Sequence, residues 1–124
     1  MNRGDWPTLS GVLAARQRIS KYIVRTPLHR HLSLDKLCGA QMYVKHENHQ
    51  KLGAFKVRGG LNLLSQMSDG ELQRGVSTAS SGNHGQSIAY AAGLFGSAAH
   101  IGVPENANPG KVESMKNLGA EVVH

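Results

Sequence analysis

Val76-Ser77-Thr78-Ala79-Ser80-Ser81-Gly82-Asn83-His84-Gly85-Gln86 decides the fold of this chain. Four residues lead into a polar, glycine-containing turn, and a run rich in small residues follows, with Ala89, Ala91, Ala92 and Gly93 among them. The pattern predicts a strand over 76–79, a turn over 80–83 and a closely packing helix over 84–95. The rhythm then repeats. Residues 98–103 read as a second strand ended by Pro104; Asn108-Pro109 opens another helix, Gly119 closes it, and 121–123 begin a third strand. Strand–helix–strand–helix–strand with short links predicts right-handed parallel crossovers. The expected fold class is α/β, a three-layer open parallel sheet with flanking helices. It is expected to be incomplete, because a parallel sheet normally continues beyond one partial strand. On this reading residues 1–124 are the front part of a longer chain.

Upstream of that block the elements are shorter. Thr8 or Ser10 can cap a helix over 9–23, with Leu9, Val12, Leu13, Ile19 and Ile23 as its apolar stripe. Arg25-Thr26-Pro27 ends it, since the residue before proline avoids the helical region. Residues 32–37 read as a second helix stopped by Gly39. Residues 41–47 read as a strand, and a loop runs to Gly53-Ala54. Residues 56–67 read as a helix, with Val57, Leu61, Leu64 and Met67 near helical spacing.

Composition narrows the function classes. At 124 residues, 40% hydrophobic and 18% charged, the chain can bury one core and is not a disordered charged tail. No apolar run approaches the roughly 18 residues of a membrane span. Met1-Asn2-Arg3-Gly4-Asp5-Trp6 lacks the apolar region of a secretory leader, and Cys38, the lone cysteine, cannot form an intramolecular disulfide. A reducing cytoplasm is expected. Residues 1–60 hold 11 Lys/Arg against 3 Asp/Glu, a net of +8, and residues 61–124 hold 3 against 5, a net of −2. The basic residues are scattered singly with few aromatics between them, which favours a solvated face or one matched to an anionic ligand over a nucleic-acid surface.

Two segments carry chemistry. The turn of Ser80, Ser81, Gly82, Asn83 and His84 leaves a strand and enters a helix. Free N–H groups and the positive helix end suit an anion there, at the strand end where open α/β sheets bind ligands. An ordinary helix cap is the alternative. Neither a Walker loop nor a dinucleotide fingerprint occurs. The other segment holds Lys56, after Phe55 at a loop-to-helix junction. A lysine near a helix N-terminus and among apolar groups loses its proton more readily, and a neutral amine attacks carbonyls. A surface lysine is the alternative. His29-x-His31 and His46-x-x-His49 invite a zinc reading. However, the second pair is one residue short of the helical His-Glu-x-x-His pattern, and in a strand-to-loop region i and i+3 are expected on opposite faces, so no metal is assigned. Cys38 reads as small core filler and Trp6 as an anchor for the N-terminus.

Taken together, the segments resemble the fold-type II pyridoxal-phosphate enzymes, specifically the threonine dehydratase and serine racemase group. That family carries Lys-x-Glu-x-x-Gln-x-x-Gly-Ser-Phe-Lys-x-Arg-Gly, matched here by Lys45, Glu47, Gln50, Gly53, Phe55, Lys56, Arg58 and Gly59, with Ala54 in place of the serine. Its Ser-x-Gly-Asn-His turn is matched by Ser80 to His84, and Thr26-Pro27-Leu28 and Gly102-Val103-Pro104 extend the likeness. The resemblance implies a tryptophan synthase β-like fold, with the start of a large domain at about 1–50 and small-domain elements at about 51–124. It implies pyridoxal 5'-phosphate as cofactor, held by Lys56 as a Schiff base. Phe55 would lie beside the ring and Asn83 would bond the phenolic oxygen. Ser80, Ser81, Gly82, Asn83 and His84 would bind the substrate carboxylate. The family's glycine-rich phosphate loop and the residue facing the pyridine nitrogen would lie beyond His124.

The activity implied is dehydration and deamination of threonine or serine to a 2-keto acid and ammonia, with Lys56 removing the α-proton. Ser81 resembles the opposite-face acid–base of serine racemases, so racemisation with side dehydration is a second reading. A truncated, catalytically silent chain that binds an anion or a partner subunit is a third. The expected partner is a small amino acid, with neither nucleic acid nor membrane, and a homo-oligomer is expected of the full-length form.

Overall fold

The computed structural model describes residues 6–124; Met1 to Asp5, on which most of the leader reading rests, lie outside them. Helix α1 (Leu9–Ile19) begins at Thr8, whose hydroxyl accepts the Gly11 N–H at 3.1 Å. It stops four residues before the expected end, where the Tyr22 N–H turns to the Ile19 carbonyl at 2.9 Å. The Gln50 side chain takes both the Val24 N–H (3.0 Å) and the Val24 carbonyl (2.8 Å), which leaves no helical partner for that residue. Ser20 turns back onto the Gln17 carbonyl at 2.9 Å and closes the helix. Of the expected α1 stripe, Ile19 is buried, Ile23 is half-buried beyond the helix, and Leu9, Val12 and Leu13 are exposed. Trp6 is also exposed, so it does not anchor the N-terminus by burial.

Strand β1 (Leu28–Arg30) follows, then helix α2 (Leu32–Cys38), which Gly39 ends in the left-handed conformation at φ 65°. Strand β2 (Tyr43–Lys45) pairs antiparallel with β1, Leu28 opposite Lys45 and Arg30 opposite Tyr43. The sequence reading foresaw β2, over longer bounds, and missed β1. Cys38 at the end of α2 is exposed, so it fills no core. Two single-turn 3-10 helices, Glu47–His49 and Lys51–Gly53, replace the expected loop.

Helix α3 (Val57–Leu64) is amphipathic, with Val57, Leu61 and Leu64 fully buried at i, i+4 and i+7. The chain breaks at Ser65, and Met67 packs half-buried on the core from outside the helix. Helix α4 (Asp69–Arg74) was not foreseen. Its signal is a capping box, in which Ser68 accepts the Glu71 N–H and Glu71 accepts the Ser68 N–H.

The second half follows the sequence rhythm: strand β3 (Val76–Ala79), helix α5 (Asn83–Phe95), strand β4 (Ala99–Gly102), helix α6 (Pro109–Asn117) and strand β5 (Glu121–Val123). The order is β3-β4-β5, all parallel. The α/β class with a parallel sheet is therefore present. Ile88, Ala89, Ala91 and Ala92 of α5 and Met115 of α6 pack over Ala99 and Ile101 of β4. Each large side chain so buried contributes roughly 1.5–3 kcal/mol. Among the described residues only that face of the sheet is covered. The opposite face exposes His100, which meets Glu121 of the next strand at 2.9 Å.

Helix α3 crosses α5 at Gly60, where a Cβ would meet the Ser87 hydroxyl at 2.4 Å and its carbonyl oxygen at 2.6 Å. No side chain larger than hydrogen fits there without displacement. Gly85, on α5, is less tightly confined: a Cβ there would meet Met115 Sδ at 2.9 Å and the Ser80 carbonyl oxygen at 3.1 Å. No described helix is long and apolar enough to cross a membrane.

Candidate active site

Most of the first motif is scaffolding. Arg58 grips Glu47 with two bonds, Nε to Oε2 at 2.7 Å and Nη2 to Oε1 at 2.8 Å, and the Thr26 hydroxyl donates to Oε1 as well. These donors, Arg58 first, hold the Glu47 carboxyl well below the usual range, at about 2, and the same pair raises Arg58. Lys45 donates to the Thr26 carbonyl, and Gln50 clamps Val24. Leu52 and Gly53 both take positive φ, 66° and 62°, reversing the chain just before Ala54, which is buried. Three polar motif residues, Lys45, Glu47 and Gln50, thus bond the 24–26 segment, and Arg58 ties the start of α3 to them through Glu47.

Lys56 itself is left out of that net. It is the N-cap of α3, its side chain is exposed, and its ammonium lies 5.7 Å from the centre of the Phe55 ring. The expectation of a lysine shut among apolar groups is not met, because Phe55 beside it is also exposed. Its backbone is fixed. The Lys56 carbonyl accepts the Ser87 hydroxyl at 2.7 Å, and the Gly60 N–H donates to the same hydroxyl oxygen at 3.2 Å. Ser87 is fully buried one turn into α5, so the start of α3 is pinned to the helix that begins at Asn83.

The turn between β3 and α5 is built the other way. Ser80 Oγ accepts the N–H groups of Gly82 (3.3 Å) and Gly85 (3.1 Å), which leaves its own O–H to donate. The N–H groups of Ser81, Asn83 and His84 have no acceptor among the described residues. Ser81, Asn83 and His84 are exposed. Ser80 and Ser81 line an open cleft of about 500 Å³ with Gly102, Val103 and Pro104, outside the carboxyl ends of β3 and β4. Phe55 lines a second cleft, of about 650 Å³, with Arg16, Arg25, Glu47 and Arg58. Lys56 lines neither. The structure joins Lys56 to the turn through Ser87 and the backbone.

One residue that the sequence reading missed reaches this turn. Lys111, from the first turn of α6, donates to Asn83 Oδ1 at 3.2 Å and stands 3.6 Å from where a Cβ on Gly82 would be. An ammonium has only hydrogens to offer, so the contact fixes which end of the Asn83 amide faces it. The amide NH2 is left to donate to a ligand oxygen. An electron-rich oxygen such as a phenolate needs that donor, and a carboxylate needs the unclaimed N–H groups and cationic surroundings of the turn. These residues fit pyridoxal phosphate and an amino acid carboxylate.

One premise about the histidines is corrected. His46 and His49 share a face. Their rings stack 5.4 Å apart at 26°, because Glu47–His49 is a 3-10 turn with three residues per turn.

Comparison with known proteins agrees with this geometry. A family model described as pyridoxal-phosphate dependent enzyme matches residues 19–124. The chain is 43% identical over 117 residues to L-threo-3-hydroxyaspartate ammonia-lyase of Saccharomyces cerevisiae, covering 94% of this chain and 36% of that protein. It is 42% identical over 117 residues to serine racemase of Schizosaccharomyces pombe, with coverages of 94% and 36%. The solved structure of maize serine racemase superimposes with a TM-score of 0.87 at 40% identity, covering 93% of this chain and 35% of that one. The chain spans about a third of the length of the relatives it matches. With its parallel sheet, its pinned lysine loop and its open serine–asparagine turn, the chain belongs to the pyridoxal-phosphate dependent enzymes, of fold-type II.

Proposed function

We propose that this chain is the lysine-bearing, carboxylate-binding part of an ammonia-lyase acting on threonine or serine. The observation that carries the reading is the Asn83 amide. Lys111 holds its Oδ1, so its NH2 is left to donate beside three unclaimed N–H groups. Lys56 would hold the cofactor covalently, Phe55 would flank its ring and Asn83 would donate to its phenolic oxygen. Bound pyridoxal phosphate supplies a sink for the electron pair left at Cα.

The chain's residues do the rest. The Ser80 and Ser81 hydroxyls and the N–H groups of Ser81, Asn83 and His84 bind the α-carboxylate, and Gly82 lets it approach the backbone. That grip turns the Cα–H toward the Lys56 amine, which takes the proton once free. The β-hydroxyl departs with a proton as water, and hydrolysis yields the 2-keto acid and ammonia. The segments at about 1–50 and 51–124 then correspond to the start of a large domain and to small-domain elements. A cytoplasmic location and a full-length homo-oligomer go with this reading.

Borohydride reduction of the purified chain mixed with pyridoxal phosphate, followed by peptide mapping, tests it. The expected result is selective labelling of Lys56 over the other six lysines. Labelling scattered over all seven supports instead a chain that is silent on its own. A second reading, serine racemase, is favoured by Ser81, whose exposed hydroxyl is free to act as an opposite-face acid–base. In the full-length enzyme, Ser81→Ala would then remove racemisation and spare elimination. Keto acid formation without D-serine in the unmutated enzyme would sink that reading.

A further inference from the structure

Four of the seven histidines converge beside the strand pair, outside the site described above. The β1–β2 register sets His29 opposite Val44, and residues two apart on a strand share a face, so His29 and His46 look the same way. Backbone bonds hold the neighbouring positions: His31 N–H to the Met42 carbonyl at 3.1 Å and His46 N–H to the Pro27 carbonyl at 2.9 Å. The 3-10 turn adds His49. The rings of His29, His31 and His49 each lie 5.4 Å from that of His46. His31 Nε2 and His46 Nε2 are joined by a hydrogen bond of 3.3 Å, whose shared proton an ion would displace.

That separation has a chemical meaning. Two imidazole nitrogens bound to one tetrahedral zinc, each at about 2.0–2.1 Å, lie about 3.3–3.4 Å from one another. We propose that His31 and His46 are the two-nitrogen bite of a site for a borderline divalent transition metal ion, zinc first, completed by water and by rotation of His49 or His29. No three His, Cys, Asp or Glu side chains among the described residues already surround one point, so the site is a preset pair and not a closed cage. The pair is half-buried and its two neighbours are exposed, which gives an ion a shielded grip and an open approach. Nearby carboxylates are committed elsewhere, Glu47 to Arg58 and Asp35 to Arg30. An imidazole-only set selects zinc, copper or nickel over magnesium or calcium.

Calorimetric titration of the metal-free chain with zinc chloride tests the proposal without any cofactor. One equivalent is expected, with no response to magnesium chloride and tighter binding as pH rises, since ligating imidazoles must be neutral. His31→Ala and His46→Ala should each weaken binding by more than about tenfold, the lower end of what losing even a supporting group costs a metal site. His100→Ala should leave it unchanged. Should either ligand variant fold poorly, diethyl pyrocarbonate modification of the unmutated chain decides: zinc should protect His31 and His46 and not His100. No zinc binding, unchanged affinity in folded His46→Ala, or equal protection of all histidines would overturn the site.

Discussion

The 45–60 stretch and the 80–84 turn carry the two halves of one motif set on opposite plans. In the first, four of the five polar motif side chains are spent inside the molecule: Lys45, Glu47, Gln50 and Arg58 bind other parts of the chain, and Lys56 does not. In the second, the Ser80 hydroxyl and Asn83 Oδ1 are used internally, and the N–H groups of Ser81, Asn83 and His84 have no acceptor among the described residues. The long motif is therefore mainly a frame that holds one lysine, and the short one is mainly a ligand surface. Motif length and chemical content run in opposite directions here.

The sharpest way to break this contrast is to remove Lys56, the polar motif side chain that binds no other described part of the chain. Lys56→Ala should abolish site-selective pyridoxal phosphate labelling, by about a hundredfold or more, and change stability by less than about 0.5 kcal/mol, as exposed substitutions do. A large fall in the urea midpoint would place Lys56 in the frame after all. Next comes Gly60→Ala, which drives a Cβ to 2.4 Å from the Ser87 hydroxyl and should cost about 2–3 kcal/mol in thermal or urea unfolding. Its neighbour is the control. A Cβ on Gly59 meets nothing within 4 Å, so Gly59→Ala should be neutral or stabilise the helix by about 0.5–1 kcal/mol.

Glu47→Gln should cost on the order of 1–2 kcal/mol, through a carboxylate that accepts from both Arg58 and Thr26. It also has a pH signature. The folded carboxyl sits at about 2, below its ordinary 4.5, so its contribution is present above pH 4.5 and fades as pH falls toward 2. Urea midpoints should therefore drop over that window in the unmutated chain and drop less in the glutamine variant. The smallest effect is expected at Lys111→Met. Stability should change by less than about 0.5 kcal/mol, since the contact is exposed. Labelling of Lys56 should slow by a few fold as Asn83 loses its fixed orientation. Unchanged labelling would mean that the turn needs no help from α6.

What the sequence made legible was local. The β3-to-β5 block could be read from short apolar runs and Gly/Pro punctuation, because each element there is decided by its own residues. β1 was not legible, since Leu28, His29 and Arg30 form a strand only by pairing with β2. The hold on Val24 beyond α1 was hidden because it comes from Gln50, 26 residues away. α4 was readable from Ser68 and Glu71 and was overlooked. At the site, Lys56 and the serine–asparagine turn stood out as motifs. Lys111 did not, because its role depends on where α6 starts relative to α5. The shared face of His46 and His49 was not legible, because it comes from a 3-10 turn where the sequence suggested a strand running into a loop.

The Ser87 hydroxyl, holding the Lys56 carbonyl while receiving the Gly60 N–H, acts as a rivet between two helices. Its consequence is mechanical. The lysine loop and the first turns of α5 have few independent degrees of freedom and should travel as one rigid body in any opening or closing motion. Gating of such a site must come from a partner surface swinging against this body, since the pinned helices leave little room for shear between lysine and turn. In hydrogen exchange, the amides of Gly60 and of the α5 segment around Ser87 should open together, in one slow cooperative event.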